Sequence, residues 1–167
     1  VMRMMDDIRN HVSDYEDEEE ISAYLAKILH KEAFDRKGLI YGMGHAVYSL
    51  SDPREVIFKT FVEKLAKAKG RDKDMALYNN IEKIAPKLIA QERQIFKGVS
   101  PNVDFYSGFV YNMLDIPVEL YTPLFAIARI AGWSAHRIEE LVSVNKIIRP
   151  SYKSLVKKQD YVGRDDR

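Results

Sequence analysis

Apolar residues recur along the chain at intervals of three and four, the spacing that lays one face of an α-helix against a core. Val1, Met4, Met5, Ile8 and Val12 keep this spacing from the first residue with no capping residue ahead of them. That pattern reads as a chain that starts inside a helix, as a C-terminal piece of a longer protein would. Ile21, Tyr24, Leu25, Ile28 and Leu29 set a second helix. It is preceded by a capping-box pattern over Ser13–Glu16 and by a second cap with an acidic first turn over Asp17–Glu20. Gly38 is expected to end that region. Ile57, Phe61 and Leu65 predict the apolar stripe of a third helix, entered through Asp52 as N-cap and Pro53 at the first helical position, and stopped by Gly70. Met75, Tyr78, Ile81, Ile84, Ala85 and Leu88 mark a fourth, which Pro86 should kink because it removes an amide donor and crowds the preceding turn. Asn102 can cap a fifth helix with the stripe Val103, Tyr106, Val110 and Met113. Thr122 and Pro123 open a sixth that Gly132 should stop, and Ser134 should cap a last one carrying Ile138, Leu141 and Val142.

Composition narrows what these helices can serve. The 167 residues suffice for one domain or a substantial piece of a larger protein, and 46% apolar content provides a real core. With 26 Lys plus Arg against 25 Asp plus Glu, the net charge of +1 argues against a general affinity for nucleic acid or an anionic membrane, so any anion site must be local. The absence of cysteine excludes a disulfide framework, a thiolate metal site and a cysteine nucleophile. No apolar run approaches the roughly 20 residues needed to span a bilayer; a cytoplasmic location fits without being demanded. The acidic run Asp14–Glu20 reads as a solvated helix start, and His11, His30 and His136 as surface residues without ligand spacing.

Chemistry concentrates in three places. Gly42 and Gly44 bracket Met43, so the backbone there can take positive φ and lie against a bound group. His45, which follows, is the one side chain of this loop whose ordinary proton affinity lies near neutrality. Arg54 sits in the first turn of the helix behind Asp52-Pro53, the end of the helix dipole where a cation needs an anionic partner. The residues alone allow a glycine turn with a packed histidine and a surface arginine, or an acid/base histidine beside an anion clamp. Asp104 falls in the first turn behind Asn102, off the apolar stripe, a position that is common without any function. Arg129 is the only charged residue from Leu120 to Ala135. It must snorkel, meet a structural carboxylate or hold a ligand, because an unpaired internal charge is very costly. Arg149-Pro150 lies in a basic tail of the kind that is commonly just flexible.

These segments carry a resemblance. Gly42-Met43-Gly44-His45-Ala46-Val47-Tyr48 followed by Asp52-Pro53-Arg54 resembles the signature around the second active-site histidine of citrate synthases. Pro101-Asn102-Val103-Asp104 with Ser107-Gly108 is similar to the family segment that carries the catalytic aspartate. Arg129 ahead of Ala131-Gly132-Trp133, and Ile147-Ile148-Arg149-Pro150 followed by Tyr161-Val162-Gly163, resemble two further family segments in the same order. The resemblance implies an all-α fold, with residues 1–115 as the small domain and 116–167 returning to a large domain whose N-terminal region is absent. It implies a homodimer condensing oxaloacetate with acetyl-CoA, the latter a co-substrate and not a permanently bound cofactor, with no metal, nucleic acid or membrane involved. Asp104 would take a proton from the acetyl methyl group, and His45 would donate to the ketone oxygen of oxaloacetate. Arg54, Arg129 and, from the partner subunit, Arg149 would hold carboxylates. Gly42, Met43, Gly44, Ala46 and Val47, with Lys97, would cradle CoA.

Two departures qualify that picture. A further catalytic histidine of the family precedes the segment matching Val1, so this chain alone is expected to be inactive. Some relatives carry a CoA-phosphate arginine where this chain has Ser49. The alternatives are 2-methylcitrate synthase, with propionyl-CoA as donor, and a non-catalytic helical interaction module; a helix-turn-helix nucleic-acid binder is disfavoured by the lack of a basic recognition helix.

Overall fold

The computed structural model describes residues 1–48, 50–94, 98–143 and 163. Among the described residues six α-helices follow one another: α1 (Met2–His11), α2 (Glu18–Leu29), α3 (Pro53–Ala68), α4 (Asp72–Arg93), α5 (Val103–Met113) and α6 (Tyr121–Ser143), with a 3-10 turn, Val118–Leu120, ahead of α6. Among the described residues there is no strand, only an isolated antiparallel bridge between Met43 and Pro101. The all-α expectation is met. The chain divides into two compact units, Val1–Pro123 and Leu124–Arg167.

The first unit is built around Tyr78 of α4, which is wholly buried. The α5 rings surround it, Phe109 stacked at 4.6 Å between centroids, Phe105 edge-on at 5.2 Å and Tyr106 at 5.7 Å. Met4, Met5 and Ile8 of α1 and Ile21, Leu25 and Ile28 of α2 close the same core. Helix α2 packs on α4, and α3 on α5 and more lightly on α4.

Helix α2 starts at its second candidate cap. Asp17 accepts the amides of Glu19 and Glu20, whereas the Ser13 hydroxyl and amide and the Asp14 amide are all taken by the Glu20 carboxylate. The capping-box pattern at Ser13 is therefore a loop clasp and not a helix start. The helix ends at Leu29, well ahead of Gly38. Gly70, at φ +65°, follows the end of α3 as expected.

Helix α3 corrects its predicted stripe. Ile57 and Phe61 are more than 60% exposed, and the buried face is Glu55, Val62 and Ala66, with Phe58 and Leu65 partly covered beside it. On a 3.6-residue helix Ile57 and Phe61 lie opposite that face. Small Ala66 lets α3 approach its neighbours closely, and a buried acid gives no apolar signal, so the larger side chains misled the pattern. Pro86 lies inside α4 without ending it.

In the second unit, helix α6 continues through Gly132 and Ser134, so neither the predicted stop nor the predicted cap operates. Gly132 does not take the positive φ of a helix-ending glycine. Its cost within a helix, about 1 kcal/mol, is spread over a run rich in alanine, the best helix former.

Candidate functional site

The glycine loop is held by the segment that starts α5. Gly44 donates its amide to the Ser100 carbonyl (2.7 Å), and Asn102 donates its own to the Gly42 carbonyl (2.9 Å). The Asn102 side chain works in both directions: Oδ1 accepts the Asp104 amide and caps α5, while Nδ2 donates to the Gly44 carbonyl at 2.8 Å. Gly42 has φ +86°, and a Cβ there would stand 2.9 Å from the Phe105 Cα. Backbone therefore touches backbone where loop meets helix. Gly42→Ala is expected to cost about 2 kcal/mol, from the strained φ and the overlap together, and to lower the urea midpoint accordingly. Gly44, at φ +85°, has open space where a Cβ would go, so only its conformation calls for glycine.

This loop sets the state of His45. Its Nδ1 accepts the amides of Val47 (3.0 Å) and Tyr48 (3.2 Å). A nitrogen that receives two N–H groups carries no proton of its own, which assigns the neutral ring its hydrogen on Nε2. The ring stacks on Tyr48 with centroids 4.8 Å apart. Its Nε2 lies 3.5 Å from Arg54 Nη2, and the Arg54 Cζ stands 5.5 Å from the centre of the Tyr48 ring.

Arg54 has found a protein carboxylate. Its Nε donates to Asp52 Oδ1 at 3.0 Å and its Nη2 to Oδ2 at 2.7 Å. Asp52 is fully buried, and besides this fork it accepts the Arg54 amide, as the N-cap of α3 does, and the Val103 amide of α5 at 3.3 Å. The Arg54 side chain foremost, helped by these amides, holds Asp52 down to about 2, while Asp52 in turn raises Arg54. The pair occupies the Nε–Nη2 edge of the guanidinium. Nη1 makes no bond to a carboxylate among the described residues, and the side chain is 46% exposed, so Nη1 and the second hydrogen of Nη2 remain available along the Nη1–Nη2 edge.

Asp104 lies exposed in the first turn of α5. Its charge is felt at Arg54 as a further raising influence. It lines a cleft of about 630 Å³ together with Arg3, Asp35, Tyr41, Ser107 and Tyr121. Across this cleft the Tyr41 hydroxyl donates to Asp35 at 2.6 Å, which lowers the Asp35 carboxyl.

The structure thus brings His45 and Arg54 together and joins them to Asp104 through Asn102, Asp52 and Val103. Ala46 and Val47 stand exposed on the loop. In the second unit Arg129 folds back on its own helix, over the Phe125 ring at 4.6 Å and with Nη1 donating to the Phe125 carbonyl. Lys97, Ser49 and Arg149 lie outside the described residues. Sequence reasoning took Asp52 for a cap alone; the spacing Asp-x-Arg at a helix entrance was the available signal that one carboxylate could serve cap and arginine together.

Comparison with known proteins gives these positions a context. The family described as "Citrate synthase, C-terminal domain" matches residues 1–151. A citrate synthase of Synechocystis sp. is 42% identical over 146 residues, 87% of this chain and 34% of that protein. One from Haloferax volcanii is 38% identical over 168 residues, all of this chain and 39% of that protein. A 2-methylcitrate synthase of Shewanella oneidensis is 39% identical over 133 residues, 80% of this chain and 31% of that protein. The crystal structure of a citrate synthase from Pyrobaculum aerophilum superposes with a TM-score of 0.61 at 27% identity, over 99% of this chain and 38% of that one. The chain therefore spans about a third of the length of the relatives it matches.

Proposed function

The chain belongs to the citrate synthase family, and from that premise we propose that, within a protein of the relatives' length, it supplies base, hydrogen-bond donor and carboxylate clamp for condensing oxaloacetate with acetyl-CoA. The observation that carries the reading is His45: two backbone amides donate to its Nδ1, which puts the neutral ring's hydrogen on Nε2, and this N–H and the Arg54 Nη2 3.5 Å away, both donors and so not bonded to each other, can share one acceptor oxygen.

Asp104 takes a proton from the methyl group of the acetyl thioester, and the resulting enolate carbon attacks the ketone carbon of oxaloacetate. His45 Nε2–H donates to the ketone oxygen, where negative charge develops. A water then cleaves the citryl thioester, releasing citrate and CoA. Arg54 offers its Nη1–Nη2 edge to a carboxylate, because Asp52 already fills the other edge and fixes the plane of the fork. Arg129, and Arg149 of the partner subunit in a homodimer, hold the remaining carboxylates. The main chain of residues 42–47, with Lys97, cradles CoA. Residues 1–115 form the small domain and 116–167 return to the large one. The helical character of the chain supports this reading, and no helix among the described residues is long and apolar enough to cross a membrane.

The test is thiol release from acetyl-CoA in the presence of oxaloacetate, by a protein carrying this chain behind the rest of a citrate synthase. Oxaloacetate-dependent release supports the reading; its absence from a folded protein removes it. The likeness to a 2-methylcitrate synthase favours a second reading, in which propionyl-CoA is the donor. Faster release from propionyl-CoA than from acetyl-CoA would select it. The chain by itself is expected to release no thiol in the same assay.

A further inference from the structure

The residue after Arg54 is a carboxylic acid with almost no access to water. Glu55 is 3% exposed, and its Oε1 has no hydrogen-bond partner. It sits in the first turn of α3, the turn whose cap is Asp52. Four groups face it. Asp52 and Lys59 come from its own helix and Glu82 from α4, while Tyr106 of α5 feels its charge. The nearby cations are already committed. Lys59 Nζ lies 2.6 Å from Glu82 Oε2, which also takes the Tyr106 hydroxyl, and Arg54 forks onto Asp52. A charge on Glu55 would therefore be a third anion beside Asp52 and Glu82, buried and without a cation of its own, the situation proteins avoid by leaving such an acid neutral.

We propose that Glu55 is a positioning residue for Arg54: as a neutral acid it lets the first turn of α3 seat against α5, and on ionisation it unseats that turn, carrying Asp52 and Arg54 with it. The route is short. Asp52 ties that turn to α5 through the Val103 amide, so movement of the turn reaches both the guanidinium and the helix start that bears Asp104. Burial foremost, and then the neighbouring Glu82, push Glu55 up to about 7. The folded carboxyl thus lies above its ordinary value of 4.5, so the folded state binds the extra proton. Its stabilising effect is complete below that value and is lost as pH rises through about 7. The proposal rests on the reading above only in treating Arg54 as a clamp for an anion.

The experiment is a carboxyl ¹³C titration of the 167-residue chain, with ¹⁵N spectra of the Val103 amide and Arg54 Nε recorded alongside. Glu55 is expected to titrate near neutrality, and Val103 and Arg54 to move with the same midpoint. In Glu55→Gln those two signals should stay still between about pH 5 and 8, and the melting temperature should no longer fall across that range. His45→Gln, which removes the imidazole beside Arg54, should leave the midpoint in place. A Glu55 carboxyl that titrates with a midpoint at or below about 5 overturns the proposal. So does unchanged movement of Val103 and Arg54 in Glu55→Gln. The wild-type titration decides even if that variant fails to fold. Neither signal involves oxaloacetate or CoA, so failure here and failure of the condensing-enzyme reading are separate results.

Discussion

Asp52→Ala is expected to destabilise the first unit by about 3 kcal/mol, read as a drop in the urea unfolding midpoint. Three losses combine. The cap of α3 goes, worth about 1 kcal/mol. The Val103 amide loses its side-chain acceptor where α5 begins, and because that donor is only partly buried its loss costs about 1 kcal/mol, the low end for an unpaired group. The Arg54 fork also goes, but Arg54 is nearly half exposed and recovers much of its interaction from water. The total therefore falls at the lower end of the range for breaking a buried ion pair. Asp52→Asn keeps an oxygen for the cap and should cost less. Its effect carries a pH signature. Asp52 is held at about 2 against an ordinary 3.8, so its contribution is full above the ordinary value and fades as pH falls through about 2. Wild type and Asp52→Asn should thus converge in acid. A gap that persists unchanged down to about pH 2 would mean that the charge on Asp52 is not what holds the junction.

The same carboxylate shows what the sequence could and could not reveal. A side chain that satisfies its own helix is visible in order along the chain, and so the caps Asp17, Asp52 and Asn102 and the cores of α2 and α4 follow from spacing, whereas on α5 only Tyr106 and Met113 of the expected stripe are buried and Phe105 and Phe109, outside it, are buried with them. A group that serves two elements is not. Asp52 looks like a cap until the fold brings Val103 to it, and Asn102 looks like a cap until Nδ2 meets the Gly44 carbonyl. The face of α3 was misread for a related reason. Its buried face is Glu55, Val62 and Ala66, of which Glu55 is too polar and Ala66 too small to register strongly in an apolar pattern, while the larger Ile57 and Phe61 are exposed. Gly132 misled in the opposite direction, because glycine permits a left-handed stop without enforcing one. At the site, Gly42, His45 and Arg54 could be picked out from the residues themselves, because a glycine pair, a histidine in the loop beside it and a cation at a helix N-terminus ask for an explanation. Asp104 could not, because an acid in a helix first turn is ordinary, and only the family resemblance singles it out. The state of His45 could not be foreseen, because it depends on two amides aligned only by the folded loop.

Arg54 links the stability argument to the chemical one. A guanidinium held by Asp52 along one edge has lost its rotational freedom, so a ligand carboxylate meeting the other edge orders little more of the protein. Arg54→Lys keeps the charge but has no second edge. In a protein carrying this chain behind the rest of a citrate synthase it should raise KM for oxaloacetate more than it lowers kcat, whereas a purely structural Arg54 would leave the KM unchanged once the protein is folded.

Asp104→Ala separates chemistry from structure most cleanly. The Asp104 backbone amide, not its carboxylate, engages the Asn102 cap, and the carboxylate stands exposed in a helix first turn. Its removal should therefore change stability by no more than about 0.5 kcal/mol, the usual size for a surface substitution combined with loss of a favourable dipole contact. The chemical cost is expected to be far larger. A positioned general base contributes about 10²- to 10⁴-fold, so oxaloacetate-dependent thiol release by a protein carrying this chain behind the rest of a citrate synthase should fall by about a thousandfold, equivalent to about 4 kcal/mol of transition-state stabilisation. The measurement pairs that rate with a melting curve of the same sample. Collapse of the rate with an unchanged melting temperature assigns proton removal to this carboxylate. A rate within tenfold of wild type would place the base elsewhere and leave Asp104 as an ordinary acidic residue at the N-terminus of its helix.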